Sequence, residues 1–267
     1  MRAREIHEHF QAVGPWVNWE RTTDTFKAGD PARQVARVAV VWKPDLAALQ
    51  EAHRRQADMV IAHESIYVNA VNGSIEPEAT FSLDSERAKL LYLKQTGMVV
   101  YRCHDVWDGF PKRGIRWAWQ QRLELGGTVV ADHYPLLVTQ IQPTTLGELA
   151  RHVLKQTAPL GQDVVLMCGR ADQPVSRIAT GTGVTSDVLA MKRLGADVGI
   201  VTDDYYLHCR IGAHAREIGL PTLTVNHGVS EEWGMANLAA YVAEIFSDLE
   251  VFHIPQRCPY SGVCVRS

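Results

Sequence analysis

The chain has 267 residues, of which 46% are hydrophobic and 21% charged, and its formal net charge is −3. This composition is typical of a globular protein with a sizeable core of its own, and the charge shows no basic excess that would favour a nucleic-acid partner. Apolar runs stay far short of the ~20 residues that cross a bilayer, so we expect no membrane association.

The first 16 residues, MRAREIHEHFQAVGPW, predict an amphipathic helix and lack the continuous apolar core of a signal peptide. The five cysteines include no CxxC pair, which favours a reducing, cytoplasmic location without a disulfide framework. Cys258 and Cys264 lie close together in the tail. We interpret them as loosely held residues; pairing or metal binding is the alternative.

The first half of the chain alternates strand and helix patterns. Strands are predicted at 34–42, 57–63 and 98–104, and helices at 43–56 and 82–97. Pro44 favours the start of the first helix. Ser82 or Asp84 can cap the second helix, and Gly97 can end it. Residues 67–81 form a polar loop. The order β-α-β-α-β predicts an α/β layer with parallel strands.

The second half repeats this alternation. Strands are predicted at 163–169, 176–181, 196–202 and 220–227, and helices at 185–195, 205–219 and 234–249. Thr185 or Ser186 can cap the first of these helices, and Gly195 can end it.

The two halves also resemble each other. QADMVIAHES (56–65) aligns with GADVGIVTDD (195–204), and the strands that follow both end in a histidine with a carboxylate four positions later. We therefore predict an internal duplication that gives two similar α/β lobes. Gly126 and Gly127 break the pattern, so we place the lobes at 1–127 and 128–267, with the C-terminal helix able to pack back on the first lobe.

Three predicted strands end in histidines and carboxylates. These residues are His63 and Glu64, then His104, Asp105 and Asp108, then His227, Glu231 and Glu232. Because the carboxyl ends of parallel strands share one edge of a sheet, such residues can converge there. The alternative is that each histidine is an ordinary surface residue or a satisfied polar cap.

Mixed imidazole and carboxylate ligands without thiolate favour Zn, Fe or Mn. The candidates outnumber the three protein ligands of a single catalytic zinc, and they suit two ions that share a bridging carboxylate and a water. Asp108 or Glu231 could supply the bridge.

The sequence around these residues resembles the Nif-three-like family, whose members carry a dinuclear metal centre. That family's His-His-Pro motif corresponds to His63-Glu64-Ser65, and its His-Thr-Asn-x-Asp motif to HDVWD (104–108). Its Gly-His-Tyr-x-Ser-Glu motif corresponds to NHGVSE (226–231). Its Thr-Gly-Glu-x-x-x-His motif corresponds to TDDYYLH (202–208), with Asp204 in the Glu position and His208 retained.

The resemblance implies a metal centre in a cleft between two lobes. It implies ligation by His63, Asp108, His227 and Glu231, with Glu231 as the bridge and His104 near the ions. Glu64 replaces the family's second histidine; a carboxylate can still ligate, but it adds negative charge and favours Mn or Fe over Zn. The resemblance also implies a homo-oligomer, often a ring-like hexamer.

Two other features are candidates for anion binding. The Gly181–Gly183 turn precedes a predicted helix, but the third glycine of a dinucleotide fingerprint is absent, so a plain tight turn is favoured. Lys112, Arg113 and Arg116 follow Asp108 and could bind a substrate phosphate, although a solvated helix start is slightly favoured.

The leading functional hypothesis is a hydrolase with two divalent ions and an unidentified small-molecule substrate. The ions would acidify a water and polarise a carbonyl, C=N or phosphoryl group. His104 or His208 would shuttle protons. The label GTP cyclohydrolase type 2, which some family members carry, is one specific version. The alternatives are a non-enzymatic metal scaffold or metallochaperone, and a nucleotide-binding regulator that uses the Gly181–Gly183 turn.

Overall fold

The computed structural model describes residues 1–68, 76–204 and 212–263, and it confirms the mixed α/β class. The chain divides into two compact units: unit 1 is Met1–Phe110 with Met235–Gln256, and unit 2 is Pro111–Gly234 with Arg257–Ser267. This division falls earlier in the chain than the boundary predicted near Gly127. None of the helices in the described part of the chain has the length and apolar composition needed to cross a bilayer.

Unit 1 is built around one five-stranded sheet. Its elements are α1 (Ala3–Val13), β1 (Phe26–Ala28), β2 (Arg37–Val41), α2 (Leu46–Arg54), β3 (Met59–Ala62), α3 (Pro77–Phe81), α4 (Asp84–Thr96), β4 (Val99–Arg102), α5 (Asp105–Gly109), the C-terminal part of α10 (His227–Ile245) and β11 (Glu250–His253). The strand order is β1-β4-β3-β2-β11. The neighbours β4, β3, β2 and β11 are parallel, and β1 is antiparallel to β4. The parallel pairing of β11 with β2 explains why the chain returns to unit 1 after residue 234.

The apolar run of β3 is buried at all four positions, as expected for a central strand of a parallel sheet covered on both faces. Leu49 of α2 and Leu93 of α4 pack on one of these faces. Gly97 ends α4 in the left-handed conformation, as predicted. The predicted caps of α4 were wrong, because Leu83 occupies the N-cap position. Residues 77–81 of the predicted loop are helical, with Pro77 in the first turn, where proline fits.

Unit 2 contains a six-stranded sheet. Its elements are α6 (Ile115–Arg122), β5 (Thr128–His133), β6 (Leu136–Thr145), α7 (Leu146–Thr157), β7 (Leu166–Cys168), β8 (Pro174–Thr180), α8 (Val188–Arg193), β9 (Val198–Thr202), α9 (helical residues 212–217), β10 (Thr222–Val225) and the first part of α10. The strand order is β5-β6-β8-β9-β10-β7. The strands β8, β9 and β10 are parallel, and the remaining pairs are antiparallel.

Side chains alternate across this sheet with the period of two that strands impose. Ile200 faces the side covered by Leu149 of α7, and Val201 faces the side covered by Met191 of α8. The predicted caps of α8 were also wrong. Asp187 caps this helix by accepting from the backbone amides of the next turn.

Both units share a set of three parallel strands that run in chain order, β2-β3-β4 and β8-β9-β10. The two aspartates that align in the sequence, Asp58 and Asp197, also accept equivalent backbone hydrogen bonds. Asp58 accepts backbone N–H groups from Ala36 and Arg37 at the start of β2. Asp197 does so from Ser176 and Arg177 near the start of β8. This equivalence supports the predicted similarity of the two lobes.

Replacing Asp197 with alanine removes a carboxylate that accepts from the amide and hydroxyl of Ser176 and from the amide of Arg177. We expect unit 2 to lose about 1.5–3 kcal/mol of unfolding free energy, the usual contribution of hydrogen bonds to a charged group. Asp172→Ala is the control, because among the described residues Asp172 forms an exposed ion pair with Arg170, and exposed ion pairs contribute little to stability. Urea unfolding measures both, and equal losses would contradict this role of Asp197.

Candidate metal centre

Two neighbouring strands of unit 1 bring three potential metal ligands together. His63 follows β3, His104 follows β4, and Asp108 lies one turn further in α5. One ligand atom from each lies within 4.8 Å of the other two. The imidazole rings of the two histidines stack with their centroids 4.4 Å apart, and His63 Nε2 lies 3.5 Å from Asp108 Oδ1. The structure therefore groups three of the residues that the sequence selected.

The environment of His63 suits a metal ligand. Its side chain is fully buried, and its Nδ1 lies 3.2 Å from the carbonyl oxygen of Cys103. Because a carbonyl can only accept, Nδ1 is the donor of this contact, which leaves Nε2 as the ring nitrogen that could bind an ion beside Asp108. Metal-binding histidines usually donate their second ring N–H in this way. A buried imidazole nitrogen facing a carboxylate is a donor set that fits Zn, Fe or Mn.

A buried aspartate holds the helix that carries His104 and Asp108. Asp24 accepts the backbone N–H groups of His104, Asp105 and Val106 at 2.8, 3.0 and 2.9 Å. Burial raises the pKa of the Asp24 carboxyl, while these hydrogen bonds act in the opposite direction. Asp24 fixes the first turn of α5. Sequence reasoning missed this residue, because the segment around it shows no helical or strand periodicity.

The segment after β3 is fixed by three cationic side chains. They donate to backbone carbonyls: Arg102 to His63 (2.8 Å), Lys43 to Ser65 (3.1 Å) and Lys89 to Ile66 (2.6 Å). Arg102 also lies 3.6 Å from the carboxylate of Glu64. A guanidinium at this position offsets the negative charge that Glu64 adds, and these contacts hold the backbone that carries His63 and Glu64.

His104 interacts with two carboxylates. Its Nδ1 lies 2.8 Å from Asp105 and 3.6 Å from Asp108. Burial alone would lower the pKa of this imidazole, but the Asp108 charge and the Asp105 hydrogen bond outweigh it and raise the pKa to about 9. The hydrogen bond to His104 in turn lowers the pKa of Asp105 to about 2. His104 is therefore protonated near neutral pH when no cation neutralises these carboxylates.

In unit 2 the helix α10 begins at His227, not at residue 234 as predicted. His227 and Glu231 are thus one helical turn apart and share a face, with His227 Nε2 3.0 Å from Glu231 Oε2. The other ring nitrogen lies 3.2 Å from Asp204. Burial would lower the pKa of His227, but the Glu231 and Asp204 carboxylates raise it well above its ordinary value.

The start of α10 is fixed in the same manner as that of α5. Asp203 accepts the backbone N–H of His227 at 2.8 Å and the side-chain amide of Asn226 at 3.0 Å. The glycine turn singled out in the sequence also lies here. A Cβ atom built on Gly183 would lie 2.9 Å from His227 Nε2 and 3.1 Å from Glu231 Oε1. The sequence did not predict this approach.

The remaining predicted residues are placed as follows. His208 lies outside the described residues, as do Cys209 and Cys264. Lys112 stacks on the Trp117 ring, with Nζ 3.6 Å from its centroid. Arg116 forms an ion pair with Asp132 at 2.6 Å. Both cationic groups thus contribute to local packing, and their proposed role in phosphate binding stays a prediction. Cys103, Cys168 and Cys258 are free thiols.

This geometry agrees with comparisons to known proteins. The family model described as Duf34/NIF3 (NGG1p interacting factor 3) matches residues 1–259. The chain belongs to the Duf34/NIF3 family. The resemblance derived from the four motifs is thereby confirmed. Among curated proteins, no sequence matches this chain significantly.

Solved structures show the same fold as this Duf34/NIF3 chain. Protein ybgI, described as of unknown function, is 23% identical with a TM-score of 0.78, over 97% of this chain and 100% of that chain. A Bacillus cereus protein related to NIF3 is 16% identical with a TM-score of 0.78, over 98% and 99%. Reduced HcgD from Methanocaldococcus jannaschii is 18% identical with a TM-score of 0.70, over 95% and 97%.

The charge state of His104 predicts how the stability of the metal-free protein depends on pH. Its folded pKa of about 9 lies above its ordinary 6.5, so its contribution is fully present below about pH 6.5 and is lost as the pH rises through about 9. His227 acts in the same direction. We expect the unfolding midpoint of chelator-treated protein to fall over this range, and to fall less steeply in His104→Gln. A midpoint that stays constant or rises with pH would contradict these assignments.

Proposed function

We propose that this protein is a metal-dependent hydrolase that binds two divalent ions per chain. His63 and Asp108 would be ligands in unit 1, and His227 and Glu231 in unit 2. The observation that carries the proposal is that each unit brings a histidine nitrogen close to a carboxylate oxygen beyond the carboxyl end of a parallel strand. His63 Nε2 and Asp108 Oδ1 are 3.5 Å apart, and His227 Nε2 and Glu231 Oε2 are 3.0 Å apart. Loops and helix starts at the carboxyl ends of parallel strands are where α/β proteins bind their ligands.

The chemistry of the donor set supports Zn, Fe or Mn. Imidazole and carboxylate supply the ligand atoms, and the described residues of the two clusters include no thiolate. Bound ions of this kind would lower the pKa of a water molecule and polarise a carbonyl, C=N or phosphoryl group. Glu64 stays a predicted ligand; Arg102, 3.6 Å away, offsets its charge.

Residues of the chain itself would transfer a proton to the leaving group. His104 donates from Nδ1 to Asp105 at 2.8 Å, and this hydrogen bond orients its ring. An imidazole held in this way beside the ligands His63 and Asp108 is suited to transfer a proton to a leaving group. Hydrolysis of a cyclic amidine, as in the GTP cyclohydrolase version, and hydrolysis of a phosphoester can both use such a donor. His208 stays the second candidate, and the homo-oligomer, hexameric by resemblance, stays a prediction.

Metal content of the purified protein tests this function. The protein is purified without a histidine tag, and its ions are counted by elemental mass spectrometry in the wild type and in Glu231→Gln. We expect about two ions per chain in the wild type and a lower content in the variant, because Gln keeps the shape of the side chain and removes its charge. Glu217→Gln is the matched control, since Glu217 is an exposed glutamate, and it should retain the wild-type content.

The outcomes separate the candidate functions. Turnover of a phosphoester, nucleotide or cyclic amide that requires the added metal and is reduced in His104→Gln would support the hydrolase. Metal that binds and exchanges without turnover across such a panel would favour the scaffold or metallochaperone. A wild-type protein that binds neither Mn, Fe nor Zn after reconstitution would contradict the proposal. Nucleotide affinity that survives chelation would favour a regulator.

A further inference from the structure

The glycine turn of unit 2 approaches the His227–Glu231 pair more closely than a side chain would allow. Gly183 has a φ of +50°, and a Cβ atom added to it would lie 2.9 Å from His227 Nε2 and 3.1 Å from Glu231 Oε1. Contacts this short require the neighbouring groups to move. The neighbours here are the imidazole of His227 and the carboxylate of Glu231, which would bind an ion. Any movement therefore displaces the ligands themselves.

The turn is anchored, so it does not readily yield to such a contact. The carbonyl oxygen of Gly183 accepts hydrogen bonds from the hydroxyls of Thr202 at 2.7 Å and Ser186 at 3.2 Å. The backbone N–H of Gly181 donates to the carbonyl oxygen of Ile200 at 3.1 Å. Thr202 and Ile200 belong to β9, a fully buried strand. The position of Gly183 is therefore set by the sheet.

The imidazole of His227 is held from the other side. His227 Nδ1 lies 3.2 Å from Asp204, and the Asp204 carboxylate lies 3.2 Å from the hydroxyl of Thr202. Thr202 thus contacts both the glycine turn and the residue that orients His227. Through these two contacts Thr202 links the glycine turn to Asp204, and so helps to fix the distance between Gly183 and His227.

The spacing of the two ligand atoms has a chemical meaning. Two ligand atoms bound at right angles to one ion, each at about 2.1 Å, lie about 3 Å apart. His227 Nε2 and Glu231 Oε2 lie 3.0 Å apart, so they already have the spacing that one ion requires. A Cβ atom on Gly183 would lie 2.9 Å from the imidazole nitrogen and 3.1 Å from the other carboxylate oxygen, so the turn leaves no room for a methyl group beside them.

We propose that Gly183 is a positioning residue. Because it has no side chain, its anchored turn packs directly against His227 and Glu231 and holds their ligand atoms at the spacing that binds one ion. A methyl group in this position would displace the imidazole or the carboxylate. The proposal rests on the proposed function, because it requires an ion at His227 and Glu231.

Gly183→Ala tests the proposal, and Gly219→Ala is its matched control. Gly219 also has a positive φ, +63°, but an added Cβ would meet no heavy atom within 4 Å. Both variants therefore impose backbone strain on the same kind of residue, and only Gly183→Ala places a methyl group against the ligand atoms. Gly183→Asn is a second variant, because asparagine tolerates positive φ better than alanine does while still occupying the space.

The measurements are Mn²⁺ binding by calorimetry on chelator-treated protein, the absorption spectrum with Co²⁺, and the unfolding midpoint without metal. We expect Gly183→Ala and Gly183→Asn to bind one of two ions about 10- to 100-fold more weakly, as when residues next to ligands are changed, and to alter the Co²⁺ spectrum. Gly219→Ala should leave both unchanged. The metal-free unfolding midpoint should fall in both alanine variants, and further in Gly183→Ala, where the added methyl group also contacts His227 and Glu231.

The results distinguish this inference from the proposed function. If the wild type binds two ions and both Gly183 variants bind them with unchanged affinity and spectrum, the role of Gly183 is wrong and the metal function stands. If Gly183→Ala does not fold, Gly183→Asn decides in the same way. If the wild type binds no ion, the proposed function and this inference are both wrong.

Discussion

A histidine followed four residues later by a carboxylate places both side chains on one face of a helix, and both units use this spacing in the first turn after a parallel strand. This spacing brings the two side chains to a metal site only if the helix always starts at the same residue. Asp24 fixes α5 by accepting three backbone N–H groups, and Asp203 fixes α10 through the amide of His227. The two buried sheets determine where these helices start, and the capping aspartates determine how the ligands are presented.

The electrostatics of the clusters follow from the same arrangement. Each histidine of an (i, i+4) pair faces two carboxylates, which raise the pKa of His104 to about 9 and that of His227 well above its ordinary value. In the metal-free protein a proton on each ring satisfies these carboxylates. A divalent cation can replace the protons with a larger charge, so metal binding and proton release are coupled. Around His63, three cationic side chains instead donate to backbone carbonyls.

The sequence was informative where periodicity and side-chain chemistry coincide. The buried runs of β3, β4, β9 and β10 and the residues that follow them were predicted, and their parallel order led to the grouping of His63, His104 and Asp108. The β5–β6 hairpin and α7 were missed, although Thr145 and Glu148 form a capping box that marks the start of α7. The start of α10 was placed too late, because glycine and serine in NHGVSE favour a turn when no tertiary contact is considered.

Other features could not be predicted because they depend on contacts between residues distant in the chain. Asp24 acts on α5 across 80 positions, and Arg102 reaches a carbonyl 39 positions earlier. The role of Gly183 depends on the path of its turn past α10, which no local pattern encodes. The glycine motif itself was visible, but it was interpreted as a plain tight turn with anion binding as the alternative, whereas the structure places it against a histidine and a carboxylate.

The measurement that tests the central claim most directly is anomalous X-ray scattering from crystals of the protein reconstituted with Mn²⁺, recorded on both sides of the manganese absorption edge. Our account predicts one anomalous peak at bonding distance from His63 Nε2 and the Asp108 carboxylate, and a second peak at bonding distance from His227 Nε2 and the Glu231 carboxylate. Density only at other residues, with both His-carboxylate pairs still in direct contact, would contradict the assignment of these residues as metal ligands.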